Sequence, residues 1–316
     1  MQIGQVTLIG GSGFVGRHIA EVLCARGIHV VVPTRNRERA KRELIVLPTA
    51  DVVRADVHSP ADLDRVVAGA DAVVNLVGIL QPSGRNSFER VHVELPGKIV
   101  AACRRAGVKR LLHMSALGAA ANAPSAYQRS KAEGEARVLQ AAGDALAVTV
   151  FRPSVIFGSG DSLLNLFARM QRVLPIVLLG SPQAKFQPVW VEDVARAYAA
   201  ALEECGTFGQ RYELCGPSVH TLRELVALAG RLSGHPRPII GLGKTLSYLQ
   251  ALALEFSPLK ILTRDNLRSM SVDNVCGCAW PGIFGFAPSP LEVIAPFYLS
   301  HAVARRFDNF RARAGR

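Results

Sequence analysis

The stretch VTLIGGSGFVG, residues 6–16, constrains this chain most. Three apolar residues and a threonine precede a glycine-rich turn, and apolar residues recur at helical spacing after it. This pattern predicts a strand, a tight turn and a helix. Gly10, Gly13 and Gly16 stand three apart, and the residues from Gly11 onward complete Gly-x-Gly-x-x-Gly. Glycines in such a turn allow the tight bend, the approach of a pyrophosphate and close packing of helix on strand. The stretch predicts a dinucleotide site, the alternative being a sharp connection without a ligand.

Backbone N–H groups at the start of this helix are expected to face the phosphates. The predicted contacts here are Gly10, Ser12, Gly13, Phe14, Val15 and Gly16.

The end of the second predicted strand, residues 29–33, indicates which dinucleotide binds. NAD sites usually have a carboxylate at this strand end, which binds both ribose hydroxyls. In this chain no acidic residue occurs from residue 29 until Glu38. Arg35 is placed to bind a 2′-phosphate, and Arg37 or Arg39 can assist. We therefore expect NADP(H) rather than NAD, with a solvated basic loop as the alternative.

Strands and helices alternate with short connections through the first half of the chain. This pattern predicts an α/β fold with a doubly wound parallel sheet, the Rossmann arrangement, over residues 1–157. Predicted strands are 6–9, 29–33, 50–53, 71–78 with its turn, 109–114 and 148–152, and predicted helices after the first are 38–44, 60–68, 88–106 and 126–142. Residues 158–316 predict a smaller C-terminal α/β lobe that encloses a substrate and can interleave with the first.

Ligands of a parallel sheet bind at the carboxyl ends of its strands, so the residues just after each strand are candidates. Asp56 and Val57 would flank an adenine, and Val77 and Gly78 would pass close to the ribose and diphosphate. Each also has a plain alternative as a turn residue. Two further cofactor contacts are expected after the sixth strand, at Pro153 and Val155.

Tyr127 and Lys131 stand four apart at the start of a predicted helix and therefore share one face. A phenol with a pKa near 10 is a poor acid–base catalyst at neutral pH, and a lysine ammonium beside it is expected to lower that pKa. Lys131 can also bind the nicotinamide ribose, and Ser115, after the fifth strand, can donate to a substrate oxygen. These three residues are the candidate catalytic set, although the spacing also occurs on ordinary surface helices.

With these motifs the chain resembles an extended or atypical short-chain dehydrogenase/reductase of the NAD-dependent epimerase/dehydratase superfamily. The matching motifs are the glycine turn, Asn75 with Val77 and Gly78, Ser115, Tyr127 with Lys131, and RPSVIFG at 152–158. Within it, the chain is most similar to bacterial relatives of the nucleotide-binding accessory subunit of respiratory complex I, on LTRDN at 262–266, DNV at 273–275 and APSP at 287–290.

The resemblance implies tightly held NADP(H) near Tyr127 and Lys131, but no established reaction. In the complex I branch the nucleotide is regarded as structural. SALG at 115–118 departs from the Ser-Ser/Thr pair and Val-Tyr-Gly that are usual in sugar-nucleotide epimerases, which argues against sugar-nucleotide chemistry. Two functions follow: an oxidoreductase of a small carbonyl or hydroxyl substrate, and a non-catalytic NADP(H)-binding subunit or assembly factor.

Composition excludes several classes of protein. With 316 residues and 49% hydrophobic residues the chain can bury a core, and without a long apolar run we expect neither a membrane-spanning helix nor a signal peptide. The net charge of +12 includes a C-terminal cluster of arginines and phenylalanines in residues 305–316. This tail is either a contact for an anionic membrane surface or a respiratory complex, or a solvated terminus. No nucleic-acid motif accompanies the charge.

The six cysteines are scattered, and only Cys276 and Cys278 are closely spaced, without a nearby histidine. We therefore expect no metal site, and a reducing compartment. The predicted location is cytoplasmic, with a peripheral position at the inner face of the membrane if the tail binds there.

Overall fold

The computed structural model describes residues 3–143, 145–256 and 261–300. The basic tail at 301–316 therefore lies outside the described residues. The strands are β1 Gln5–Ile9, β2 His29–Thr34, β3 Ala50–Arg54, β4 Ala72–Asn75, β5 Arg110–Met114, β6 Ala147–Pro153, β7 Ile156–Phe157, β8 Val177–Leu179, β9 Lys185–Phe186, β10 Val189–Trp190, β11 Arg211–Leu214, β12 His220–Thr221 and β13 Ile239–Gly241. The helices are α1 Phe14–Ala25, α2 Arg37–Leu44, α3 Pro60–Val67, α4 Leu95–Ala106, α5 Ala126–Leu139, α6 Leu164–Val173, α7 Val191–Ala201, α8 Leu222–Leu232, α9 Lys244–Glu255, α10 Arg264–Ser269 and α11 Leu291–Leu299.

Seven strands form a parallel sheet in the order β11-β6-β5-β4-β1-β2-β3. Its central strands are apolar on both faces, as the fully buried Val6, Leu8 and Val73 show, because helices cover both sides. The carboxyl ends of β1, β2 and β4 lie side by side, where the order of the strands reverses. The predicted Rossmann fold is confirmed.

Local signals set several helix ends as the sequence predicts. The Ser59 hydroxyl accepts the N–H of Asp62 at the start of α3, with Pro60 in the first turn. Gly107 ends α4 in the left-handed conformation. The predicted helix 88–106 is not uniform, because Glu89–Glu94 forms a π-helical segment before α4 begins.

The chain divides into two compact units, and the division differs from the predicted boundary at residue 157. The first unit comprises Met1–Pro153, Val191–Leu214 and Cys278–Ala287, and the second the remaining segments. The segment 191–214 belongs to the first unit because β11 pairs with β6 and because the buried Arg110 guanidinium donates to Ala201 O and Thr207 Oγ1, at 2.7 and 2.8 Å.

The second unit has its own core between α6 and α8, with short strand pairs at its edges. Cys215 and Cys276 form a disulfide within this unit. The sequence interpretation paired no cysteines and did not predict α9, α10 or α11. Across the described ranges, no helix has the length and hydropathy needed to cross a membrane.

Candidate functional site

The glycine-rich turn between β1 and α1 is built from positions where a side chain would collide. Gly10 has a φ of +87°, a conformation that L side chains rarely adopt. A Cβ on Gly16 would lie 2.5 Å from Gly10 O, so α1 can approach the turn only with glycine there. A Cβ on Gly11 would lie 2.9 Å from Leu8 O. The turn therefore has the tight, bare backbone that the sequence predicts.

The amino end of α1 leaves donors available for an anion. Its N-cap, Gly13, has no side chain to accept from the helix, and the first turn contains no acid. The first backbone N–H groups of a helix, here in Phe14, Val15 and Gly16, have no partner within the helix. With Ser12 beside them, these groups fit a diphosphate.

Arg35 follows β2 and is exposed. Among the described residues no hydrogen bond or ion pair is recorded for its guanidinium, whereas Arg37 donates from Nε to Val52 O at 3.1 Å. Asn36 caps α2 by accepting the N–H of Arg39. Of the three arginines proposed from the sequence, Arg35 and Arg39 thus have exposed guanidinium groups without a hydrogen bond to the described residues, and Arg35 is the one that directly follows β2.

Asp56 and Val57 follow β3, whose last residue is register partner to the last residue of β2. The backbone N–H of Asp56 is held by Asp62, at 2.8 Å, and its own carboxylate accepts the N–H of His58. Asp56 remains exposed, and Val57 packs partly against the core. Asp56 therefore serves as a turn residue, as its alternative role predicts. Its second carboxylate oxygen remains available to a ligand.

The turn after β4 is fixed by Asn75, which is buried. Its Oδ1 accepts the N–H of Val77 at 3.2 Å, and its Nδ2 lies 3.1 Å from Nδ1 of His113. Gly78 then passes beside Lys131, since a Cβ on Gly78 would lie 3.0 Å from Nζ. The structure thus brings together the strand-end turn and the helix that were proposed separately from the sequence.

Tyr127 and Lys131 lie in the first turns of α5, which begins at the Ser125 cap. Lys131 is buried, and its Nζ donates to Met114 O at 3.0 Å. Burial lowers the pKa of Lys131 to about 8, with Glu135 acting in the opposite direction. Burial raises the pKa of Tyr127 to about 12. The predicted lowering of the phenol's pKa by Lys131 is not found in this structure, where burial disfavours the charged phenolate and raises that pKa.

His92 is a site residue that the sequence interpretation missed. It lies in the π-helical segment, and its Nε2 accepts the N–H of Ile79 at 3.0 Å. Its Nδ1 lies 2.9 Å from Ser130 Oγ, which donates to Tyr127 O at 2.8 Å. The ring also packs edge-on against Tyr127. His92 therefore connects the turn after Gly78 to the helix that carries Tyr127 and Lys131.

The protonation state of His92 follows from these contacts. Burial, with the charge of Lys131 next in size, lowers the pKa of His92 to about 3. Because Nε2 accepts from Ile79, the neutral ring carries its proton on Nδ1 and donates to Ser130. No spacing signal marks this residue in the sequence, since its partners are 13 and 38 positions away.

Two buried polar atoms of the site lack a hydrogen-bond partner among the described residues. They are Ser115 Oγ and His113 Nε2. Leaving a buried hydroxyl unpaired is unfavourable, so such an atom is available to hydrogen-bond a bound polar group. The loop that carries Ser115 is held by the N–H of Leu117, which donates to Pro153 O at 3.0 Å. The bare turn, the uncapped helix and these atoms together fit a dinucleotide and a small polar group.

Two other predictions have different outcomes. Val155 belongs to the second unit, where its N–H donates to Asn274 Oδ1 at 3.2 Å, and its role toward a cofactor stays a prediction. No metal site is expected from the sequence, yet ligand atoms of His18, Glu21 and Glu192 lie within 4.8 Å of one another. Nδ1 of His18 lies 2.5 Å from Glu192 Oε1, a hydrogen-bond contact that brings two of these three groups together.

A family model described as the NAD dependent epimerase/dehydratase family matches residues 6–215. Several similar proteins, among them one from Arabidopsis thaliana and one from Mus musculus, are named subunit 9 of the NADH dehydrogenase (ubiquinone) 1 alpha subcomplex, mitochondrial. The Arabidopsis thaliana protein is 36% identical over 70% of this chain, but the match spans only 56% of that protein. The Mus musculus protein is 30% identical over 96% of this chain and 81% of its own length.

Enzymes are also among the similar proteins. A ceramide reductase of Caulobacter vibrioides is 33% identical over 62% of this chain and 60% of its own length. The solved structure of MoeE5 in complex with UDP-glucuronic acid and NAD has a TM-score of 0.72 at 19% identity, covering 96% of this chain and 99% of that one. At that identity the likeness shows the fold.

Proposed function

The chain belongs to the NAD-dependent epimerase/dehydratase family, and from this premise we propose that it is an NADP(H)-dependent oxidoreductase that reduces a small carbonyl substrate. The observation that carries the proposal is the joint position of Tyr127 and Lys131 on α5, with Lys131 against Gly78. The unpartnered hydroxyl of Ser115 supports it further.

The protonation states favour reduction over oxidation. With a pKa raised to about 12 by burial, Tyr127 is protonated at neutral pH and can donate a proton, whereas a base would need the phenolate. Ser115 would donate a hydrogen bond to the substrate oxygen and orient the carbonyl. Lys131 would hold the ribose beside Gly78. A bound NADPH would supply the hydride to the carbonyl carbon. Tyr127 would donate its phenolic proton to the carbonyl oxygen, which gives the alcohol.

Arg35 supports NADP(H) as the preferred cofactor. Its guanidinium is exposed at the carboxyl end of β2, and a planar cation there suits a phosphate rather than two ribose hydroxyls. The adjoining Arg37 is engaged with Val52 O and contributes only charge.

A panel of carbonyl compounds assayed by NADPH absorbance tests this function. The panel includes long-chain ketones, because a relative is named a ceramide reductase. For an accepted substrate, Tyr127→Phe should lower kcat by about 100-fold or more, in the range typical of a lost general acid. Tyr212→Phe is the matched control, since the hydroxyl of Tyr212 donates at 3.4 Å to Gly206 O away from the site. Activity that survives Tyr127→Phe unchanged would remove the phenol from the mechanism.

The second candidate function is a non-catalytic NADP(H)-binding subunit or assembly factor. The specific observation in its favour is the similarity to the mitochondrial NADH dehydrogenase subunits across almost the whole chain. This function predicts nucleotide that remains bound through purification and dialysis, and that no carbonyl substrate oxidises. A nucleotide that exchanges freely and is oxidised by one member of the panel would support the enzyme instead.

A further inference from the structure

Helix α9 presents leucines to solvent and small or polar residues to its own unit. Leu246 and Leu249 are 58% and 53% exposed, and Phe256, which caps the helix, is 84% exposed. Their spacings of three and seven place them on one side of the helix. Ser247 and Ala251, on the opposite side, are buried. The ten residues between Lys244 and Glu255 include no charged residue, so this side is uncharged between the two ends of the helix.

The neighbouring strand pair continues the same surface. Leu178 and Ile240 are register partners in β8 and β13, and both are about half exposed. Helix α9 lies against this pair, because Gln250 Nε2 donates to Leu178 O at 2.9 Å. We call Leu178, Ile240, Leu246, Leu249 and Phe256 the apolar face.

The charges that border the apolar face are almost all positive. Arg172, Arg237 and Lys244 are exposed in the segments that form it. In the sequence of residues 164–179 and 237–256, Glu255 is the only acid. Glu255 is already paired, since Arg264 donates to it from its backbone N–H and from Nε, at 2.7 and 3.0 Å. The face therefore combines exposed apolar side chains with cations for which residues 164–179 and 237–256 offer only the engaged Glu255, while the adjoining α10 adds Asp265 between Arg264 and Arg268.

We propose that the apolar face binds the surface of an anionic lipid bilayer. Leucine and phenylalanine side chains insert into the boundary of the acyl chains, while flanking arginines and lysines contact acidic headgroups. A second copy of the same face fits less well, because a two-fold contact would bring together two borders that carry mainly cations. The proposal goes beyond the oxidoreductase function and does not depend on turnover.

Vesicle flotation with the full-length chain tests the proposal. The vesicles are phosphatidylcholine alone, or phosphatidylcholine with about a quarter phosphatidylglycerol. The test variant is Leu246→Glu with Leu249→Glu. The matched control is Ile45→Glu with Val46→Glu, which makes the same changes at residues 77% and 79% exposed in the first unit. Circular dichroism confirms that both variants are folded.

We expect wild-type protein to float with the anionic vesicles and to dissociate as salt is raised. The fraction of the test variant bound to anionic vesicles should be lower than that of wild type by about tenfold or more. The bound fraction of the control should stay within about twofold of wild type. Arg172→Glu should weaken binding to anionic vesicles only. Equal flotation of the test variant and wild type would overturn the proposal, assigning the binding to another surface such as residues 301–316. The proposal would also be overturned if wild-type protein did not float and the test variant had a different oligomeric state. That result would assign the apolar face to a protein contact.

Discussion

Arg35 is the residue on which the choice of cofactor depends in this site. Replacing it by alanine removes one charge-assisted contact to a 2′-phosphate, which is worth about 1.5–3 kcal/mol. We expect Arg35→Ala to raise the Kd for NADPH by about 10-fold to 100-fold and to leave the Kd for NADH within about twofold. Nucleotide fluorescence titration measures both constants.

Arg42→Ala is the control for Arg35→Ala. Arg42 is exposed on α2, and within the described part of the chain its side chain donates only to Glu38 O, at 3.5 Å. An equal loss of affinity for NADPH and NADH in Arg35→Ala would contradict a phosphate-specific role.

His92 should make the folded state sensitive to acid. Its pKa is about 3 in the folded protein and about 6.5 in an unfolded chain, so the unfolded state binds more protons between these values. Stability is then complete above pH 6.5 and falls as the pH drops toward 3, by about 1.4 kcal/mol per pH unit for one histidine. We expect His92→Gln to reduce the slope of the urea unfolding free energy against pH between 6.5 and 5, while His113, whose pKa burial also lowers to about 3, keeps its own contribution. Curves for the variant and wild type that stay parallel over this range would show that the ring is not buried neutral.

At the scale of elements, helix α5 can lie against the π-helical segment only because Gly134 has no side chain. A Cβ at Gly134 would overlap His92 O. Gly134→Ala should therefore lower the free energy of unfolding by about 2 kcal/mol or more, since backbone must move. Gly97→Ala in α4 is the matched control: no atom lies within 4 Å of its Cβ position, and alanine should stabilise by about 0.5–1 kcal/mol. Urea unfolding measures both. Similar losses in the two variants would indicate a general intolerance of these helices rather than this one contact.

The elements that the sequence predicted are those with signals inside their own segment. The β1 turn and the Ser59 cap need only neighbouring residues, and both are found where expected. Helix α9 was missed because its apolar residues lie on several sides, so that no helical periodicity stands out. Residues 211–214 fall in the predicted smaller lobe, 158–316, but as β11 they join the large sheet, because pairing with the distant β6 leaves no local signal in the sequence.

The same distinction explains the site. Sequence spacing could place Tyr127 and Lys131 on one face, because one helical turn separates them. It could not give their pKa values, which depend on burial by distant segments. Nor could it identify His92, whose role depends on partners brought together only in the fold.

At the scale of the whole molecule, the chain passes repeatedly between its two units, and the second unit is closed by a crosslink. Cys215 and Cys276 are 61 positions apart, and both belong to that unit. A loop of this length contributes about 4 kcal/mol in the chain-entropy description. The crosslink conflicts with the expectation of a reducing compartment. That expectation rested only on the scattered positions of the cysteines, and residues that are distant in sequence can be neighbours in the fold.

Thiol counting on the unfolded chain decides whether Cys215 and Cys276 form a disulfide or are reduced in the isolated protein. Cys24, Cys103, Cys205 and Cys278 are free in the structure, so protein denatured without reductant should label at four thiols, and at six after reduction. Cys215→Ser with Cys276→Ser should lower the free energy of unfolding by up to about 4 kcal/mol, whereas Cys205→Ser, at an exposed free thiol, should change it by about 0.5 kcal/mol or less. Six reactive thiols before reduction would show that the pair is reduced in the isolated protein. The second unit would then have to be stable through its core between α6 and α8 alone, and the expected reducing compartment would stand.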